Sequence, residues 1–161
     1  MSRYSDQKAE LATILAAVTG IGRVYGKRPN TTEDKKFRDD YVSNDIVNAV
    51  FFTRVDGGDL PEGENGSVDE ASEILVTEKR DYWEITLLYG YSDGAIPSED
   101  GFQELVEAIE NAFRFLQDLN DKADYSYPLQ RTISGVFAFF GDVLCHKAVW
   151  RLEVVTRIIN Q

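Results

Sequence analysis

The sequence predicts an α+β fold, an antiparallel β-sheet with two main helices packed on one face. Three observations carry this. The stretch Tyr82-Trp-Glu-Ile-Thr-Leu-Leu-Tyr-Gly-Tyr91 alternates at period two. Trp83, Ile85, Leu87, Tyr89 and Tyr91 fall on one face, and Tyr82, Glu84, Thr86 and Leu88 on the other, the pattern of a half-buried antiparallel strand. After a turn over 92–97, Ser98 opens a long helix with Phe102, Leu105, Val106, Ile109, Phe113 and Leu116 on one stripe. The order is helix, three strands, long helix, further strands. Strands joined by short loops pair antiparallel, and helices then layer on one face.

The first helix starts at Ser5 or Asp6, either of which can cap it, and carries Tyr4, Leu11, Ile14, Leu15 and Val18 on one stripe. Gly20 is its predicted stop. A short strand follows over Ile21 to Tyr25, then a polar connection containing Pro29, then a short helix from Glu33 to Tyr41. Asp45 to Val55 is a second strong strand. Val47, Ala49, Phe51, Thr53 and Val55 face one way, and Ile46, Asn48, Val50, Phe52 and Arg54 the other. One face covers the helices. The second is too apolar for water, so it meets either a partner or more of this chain.

Residues 56–72 hold four glycines, one proline and six acids. Such a segment buries too little apolar surface to offset its ordering entropy, which predicts a mobile acidic loop or one that orders on a partner. Strand character returns over Ile74 to Lys79 and Asp81 to Tyr91, as one long strand or two. Beyond the long helix, 121–128 is polar, and 129–140 is apolar with Phe137, Phe139 and Phe140. Gly141-Asp142 is a predicted turn. The last strand, 147–159, places Ala148, Trp150, Leu152 and Val154 on one face.

At 161 residues the expectation is a single domain, 1–161, with its mobile loop near 56–72. Seventeen basic against 28 acidic residues leave a net charge of −11, which disfavours free association with nucleic acid. The lone cysteine, Cys145, precludes an intrachain disulfide. No apolar run approaches the ~20 residues that span a bilayer. The polar N-terminus lacks a signal peptide's apolar core, so the expected setting is the cytosol or a particle assembled there.

His146, the only histidine, adjoins Cys145, and neighbours in a strand point to opposite faces, so they make a poor nucleophile–base pair. The acids of 56–72 do not match a calcium loop. Gly20-Ile-Gly22 precedes a strand and opens no helix, so it is no dinucleotide fingerprint. Lys27-Arg28 and Lys35-Lys36 form a small basic cluster that fits a solvated face. The expectation is no catalytic residue, no metal and no cofactor.

In ordering and texture the chain resembles the tail terminator, or tail completion, proteins of long-tailed bacteriophages. The resemblance runs through Leu11 to Val18, Ile21-Gly-Arg-Val-Tyr25 and the strand Tyr82-Trp-Glu-Ile-Thr-Leu88 after a variable acidic loop. It continues through Phe102-Gln-Glu-Leu-Val-Glu-Ala-Ile109, Leu144-Cys-His-Lys-Ala148 and the strand from Trp150 to Thr156. It implies a virion protein of the neck, made in the host cytoplasm and assembled as a ring of six. Such a ring caps the completed tail tube, stops its polymerisation and offers a surface to the head–tail connector. Its implied partners are copies of itself, the tail tube protein and the connector. DNA passes the channel without specific binding, and no membrane is involved. An acidic lumen would suit that passage. The alternatives are another ring-forming neck protein (head completion or adaptor), or a cytosolic ligand-binding or enzymatic dimer with a pocket among Tyr82, Tyr89, Tyr91 and Trp150.

The candidate interface residues are Phe115, Phe52, Tyr89 and Tyr91. At about 100° per residue, Phe115 lies well off the helix's apolar stripe, beside Ala108, Asn111 and Asp118. It either anchors an adjacent subunit or tucks beneath 121–128.

Overall fold

In a computed structural model of the chain, which describes residues 3–27, 41–43, 46–59, 68–69, 74–92, 98–140 and 143–160, helix α1 spans Arg3–Ala17. It buries Leu11, Ile14 and Leu15, with Val18 just beyond its end. Gly20 then adopts φ +91°, the left-handed conformation that stops a helix and that a side chain resists. A Cβ there would also stand 3.1 Å from Leu105 Cδ2. Helix α2, Ser98–Phe113, buries Phe102, Leu105, Val106, Ile109 and Phe113, the stripe its spacing predicts.

The strands are β1 (Arg23–Tyr25), β2 (Val42–Ser43), β3 (Ile46–Asp59), β4 (Val68–Asp69) and β5 (Ile74–Gly90), then β6 (Tyr125–Ser126), β7 (Gln130–Phe140) and β8 (Val143–Asn160). Among the described residues they form one sheet in the order β1-β3-β5-β8-β6, with β2 added on β3, β4 on β5 and β7 on β8. The pairings are antiparallel except β1 with β3, where Arg23 lies opposite Ala49 in a parallel register. The all-antiparallel expectation fails at that one pair. The chain between β1 and β3 is long enough for the crossover that parallel pairing requires.

Both helices lie on one face of the sheet. Their stripes join Val50, Phe52, Trp83, Ile85, Leu87, Ala148, Trp150, Leu152 and Val154 in the main core. This is the α+β sandwich the sequence predicts. On the opposite face Val47, Ala49, Phe51, Leu88 and Cys145 are buried with Tyr41, and Tyr25 and Val42 pack against them. The second apolar face of β3 is thus covered from within the chain, not left open for a partner.

Two boundaries move. Asp56–Asp59 continue β3, pairing with Tyr82 to Lys79 of β5, so the break begins later than composition implies. The register slips between Arg54 and Asp56, which leaves Val55 bulged and half exposed. β5 is one strand through Asp81. The short helix expected over Glu33 to Tyr41, apart from Tyr41, and most of the acidic segment lie outside the described residues. β7 and β8 pair from Phe140 opposite Val143, and the turn predicted at Gly141-Asp142 lies outside the described residues.

Candidate assembly surface

The four candidate interface residues do not share a patch. Phe52 is fully buried in the main core, its ring 6.0 Å from Trp83, and offers nothing to a partner. That candidate is corrected. Its even-numbered face of β3 meets the helices, while the odd-numbered face meets Tyr41. Tyr89 is partly buried against the core, and its hydroxyl would stand 3.0 Å from a Cβ at Gly101. A side chain at Gly101 would press on the end of the Tyr89 side chain. Tyr91 is 41% exposed beside the His146 ring, near the start of α2. Phe115 is 85% exposed, just past the other end. At 1.5 Å per residue the two ends of α2 lie roughly 24 Å apart. Phe115 does not tuck beneath 121–128.

Between α1 and α2 lies a trough of about 500 Å³ whose lining includes Leu116, the residue after Phe115, but not Phe115 itself. Ile14, Val18 and Leu116 give it an apolar lining, and Ala17, Ala108 and Ala112 leave the space between the helices unfilled. Its rim holds Glu10 and Asn120, whose Nδ2 donates to Glu10 Oε1 at 2.7 Å. Asn120 reaches that position through a left-handed turn. Leu119, Asn120 and Asp121 have φ of 50°, 52° and 64°. Three consecutive non-glycine residues in this region are strained. The turn is held by the fully buried Leu119 and by bonds from the Lys122 and Ala123 amides to the Asp118 carbonyl.

A polar cluster sits at the other end of α2. Ser98 is the first residue of α2, and its Oγ accepts the Ser92 amide proton at 2.8 Å and is within donating distance of the Ser92 carbonyl at 3.1 Å. The same Oγ is 2.9 Å from His146 Nε2, while His146 Nδ1 is 3.3 Å from Glu99 Oε2. The single Ser98 hydroxyl proton has two acceptors within reach, the Ser92 carbonyl and His146 Nε2, and the Nδ1–Glu99 approach lacks hydrogen-bond geometry, so the three side chains adjoin without the relay of an acyl-transfer triad. The surroundings argue for a brace. Ser98 is only 9% exposed, and the Ser92 amide already occupies an oxygen lone pair. The cluster ties the end of β5, the start of α2 and β8 together. Sequence reasoning missed it because 48 residues separate Ser98 from His146. The one available signal was a helix-opening serine in a chain with a single histidine.

Cys145 faces the opposite side, inside the second cluster, as strand alternation requires. Burial pushes its thiol up from 9.0 to about 11. The unfolded thiol ionises near pH 9 and the folded one does not, so its contribution to stability is complete below pH 9 and is lost as pH rises to about 11. Two units correspond to roughly 2–3 kcal/mol. A thiol reagent at pH 8 should label the native protein far more slowly than the urea-unfolded protein. Cys145→Ala should flatten part of the stability decline between pH 9 and 11; parallel wild-type and variant urea curves across that range would refute the assignment.

The pocket expected among Tyr82, Tyr89, Tyr91 and Trp150 does not form. Trp150 is buried under the helices with Nε1 donating to Glu110 Oε1 at 3.0 Å. Tyr82 lies on the other face, its ring 4.1 Å beneath the Arg151 guanidinium, in a polar hollow with Tyr127 and Glu153. Among the described residues no three histidine, cysteine or acidic side chains gather as a metal site.

No protein-family model matches the chain. No curated protein matches it either. Among solved structures it is similar to the sheath/tube terminator of an extracellular contractile injection system (PVC), in its extended state by cryo-EM. The TM-score is 0.49 at 14% identity, over 98% of this chain and 57% of that one. The chain thus spans little more than half the length of that terminator.

Proposed function

We propose that this chain is a ring-forming structural protein of the tail terminator kind. It caps a completed tail tube, stops its growth and provides the surface for joining the head through the connector. The observation that carries the proposal is Phe115, a large aromatic left 85% exposed on a helical layer that also carries an apolar trough. An apolar knob and an apolar recess both left in water fit a chain that works within an assembly. The ordering and texture shared with tail terminators supply the kind of assembly. The net charge of −11 suits a lumen through which DNA slides without adhering. Native mass spectrometry with negative-stain imaging is the test. A closed ring of six is the expected result, and a chain that stays monomeric at every concentration removes the reading.

A hydrolase reading has one observation in its favour, the proximity of Ser98, His146 and Glu99. We assign the cluster a bracing role and the chain no enzymatic activity. Ser98→Ala should then cost about 1–2 kcal/mol of stability through the lost bonds to Ser92 and His146. It should leave the turnover of an activated ester such as p-nitrophenyl acetate at the wild-type level. Ester cleavage by the wild type that the variant abolishes, with its fold intact, would establish an acyl-transfer site.

A further inference from the structure

We propose that the trough between α1 and α2 is the seat for Phe115 of a second copy of this chain. The inference rests on the assembly reading above and supplies the receptor for its exposed aromatic. Phe115 projects just past the last turn of α2, and its own chain leaves it in water. A phenylalanine ring offers about 150–250 Å² to bury, which makes it a strong anchor wherever a fitting recess exists. The trough is such a recess. Its volume of about 500 Å³ arises because alanines stand where larger residues would close the gap between the helices. Ile14, Val18 and Leu116 supply apolar contact at its base.

Charge selects the same pairing. Two copies that each carry −11 repel, so a contact between them has to bring opposite charges together. Arg114, next to Phe115, is exposed and makes no ion pair among the described residues. Glu10 lines the trough and accepts one hydrogen bond there, from Asn120, so its carboxylate retains capacity for a guanidinium. Seating the ring of one copy brings its Arg114 to the Glu10 of the other. Each copy carries both the knob and the recess. Head-to-tail repetition closes a ring, and mutual insertion gives a two-fold dimer.

The test mixes two variants that each add one cysteine to the native Cys145 and keep Phe115 in place, Gln117→Cys beside the ring and Thr13→Cys in the trough lining, under mild oxidation. Cys145 is fully buried and stays out of the exchange. The expected product is a disulfide between the two different chains. In parallel, Phe115→Glu and Ala112→Arg are each expected to weaken assembly at least about tenfold by light scattering while circular dichroism stays unchanged. Exchanging the charges together, Glu10→Arg with Arg114→Glu, is expected to restore what either change alone removes. Wild-type assembly by folded Phe115→Glu together with no mixed disulfide overturns the docking. If rings still form in that case, the terminator reading stands without it. A two-fold dimer that carries the cross-link upholds the docking and overturns the ring. Should Ala112→Arg fail to fold, Phe115→Glu alters a side chain already in solvent and decides the matter alone.

Discussion

Trp83→Ala is expected to cost about 3–5 kcal/mol, enough to remove a large share of a domain's net stability. Trp83 is fully buried at the centre of β5, where both layers meet. Its ring stacks on Tyr4 of α1 with centroids 5.4 Å apart and meets Phe52 at 6.0 Å. Its indole Nε1 donates to Gln7 Oε1 at 3.2 Å, and Gln7 Nε2 reaches Thr156 Oγ1 at 3.4 Å. Alanine therefore opens a cavity and also orphans a buried amide. The two losses separate experimentally. Trp83→Phe keeps most of the ring and forfeits only the donor, so its cost should fall to about 1–3 kcal/mol. Gln7→Leu strands the indole proton from the other side and should cost a similar amount. Because both remove one bond, the double variant should cost less than their sum. Urea unfolding followed by circular dichroism measures all four. Trp83→Ala below about 1 kcal/mol would show that the indole is not packed as described.

Gln7 shows why part of this core escaped the sequence. The apolar stripe of α1 predicts Leu11, Ile14, Leu15 and Val18 inside, and they are inside. A glutamine one turn earlier reads as solvent-facing, yet it is fully buried, because a partner 76 residues away satisfies it. Periodicity records which side chains prefer to leave water; it does not record a polar group whose partner comes from another element. Which face each strand turns inward was legible for the same reason in reverse. Alternation in β5 and β8 fixes which residues face the helices, and Trp83, Ile85, Leu87, Trp150 and Leu152 all do.

The assembly candidates divide along that line. Phe115 stood out because helix geometry places it off the buried stripe, and that is a local property of α2. Phe52 belongs to a strand apolar on both faces, and pattern alone cannot say what covers each face. Here Tyr41 and its neighbours cover one side and the helices the other. The trough was invisible in sequence, since it depends on the spacing between α1 and α2 and on alanines contributed by both. The acidic break was placed a few residues early. Asp56 and Asp59 carry the charge of a loop but continue β3 beside β5, where ladder hydrogen bonds outweigh weak strand propensity.

Removing both Arg3 and Arg54 should be the most damaging surface-accessible change, at about 3–5 kcal/mol. Asp81 lies within β5 at 1% exposure, on the face that carries Trp83. Arg3 Nε approaches its Oδ2 at 3.2 Å and Arg54 Nη2 its Oδ1 at 3.1 Å. The three charges tie the first turn of α1 to β3 and β5. The arrangement is asymmetric. The carboxylate is sealed from water, while the guanidiniums are 27% and 32% exposed and can turn outward. Alanine at both arginines therefore leaves a buried anion with no counter-charge. Asp81→Leu leaves two cations that water can still reach, and its cost should be clearly smaller. Either arginine removed singly should cost less than half of the pair, because the other still neutralises the carboxylate. Replacing all three together, Arg3→Met, Asp81→Leu and Arg54→Met, should recover most of the loss, since a packed apolar set of similar volume carries no desolvation penalty. Urea midpoints at pH 7 rank the five variants. A double arginine variant no less stable than Asp81→Leu would show that the carboxylate reaches solvent and that the tie between α1 and the sheet is made by packing alone.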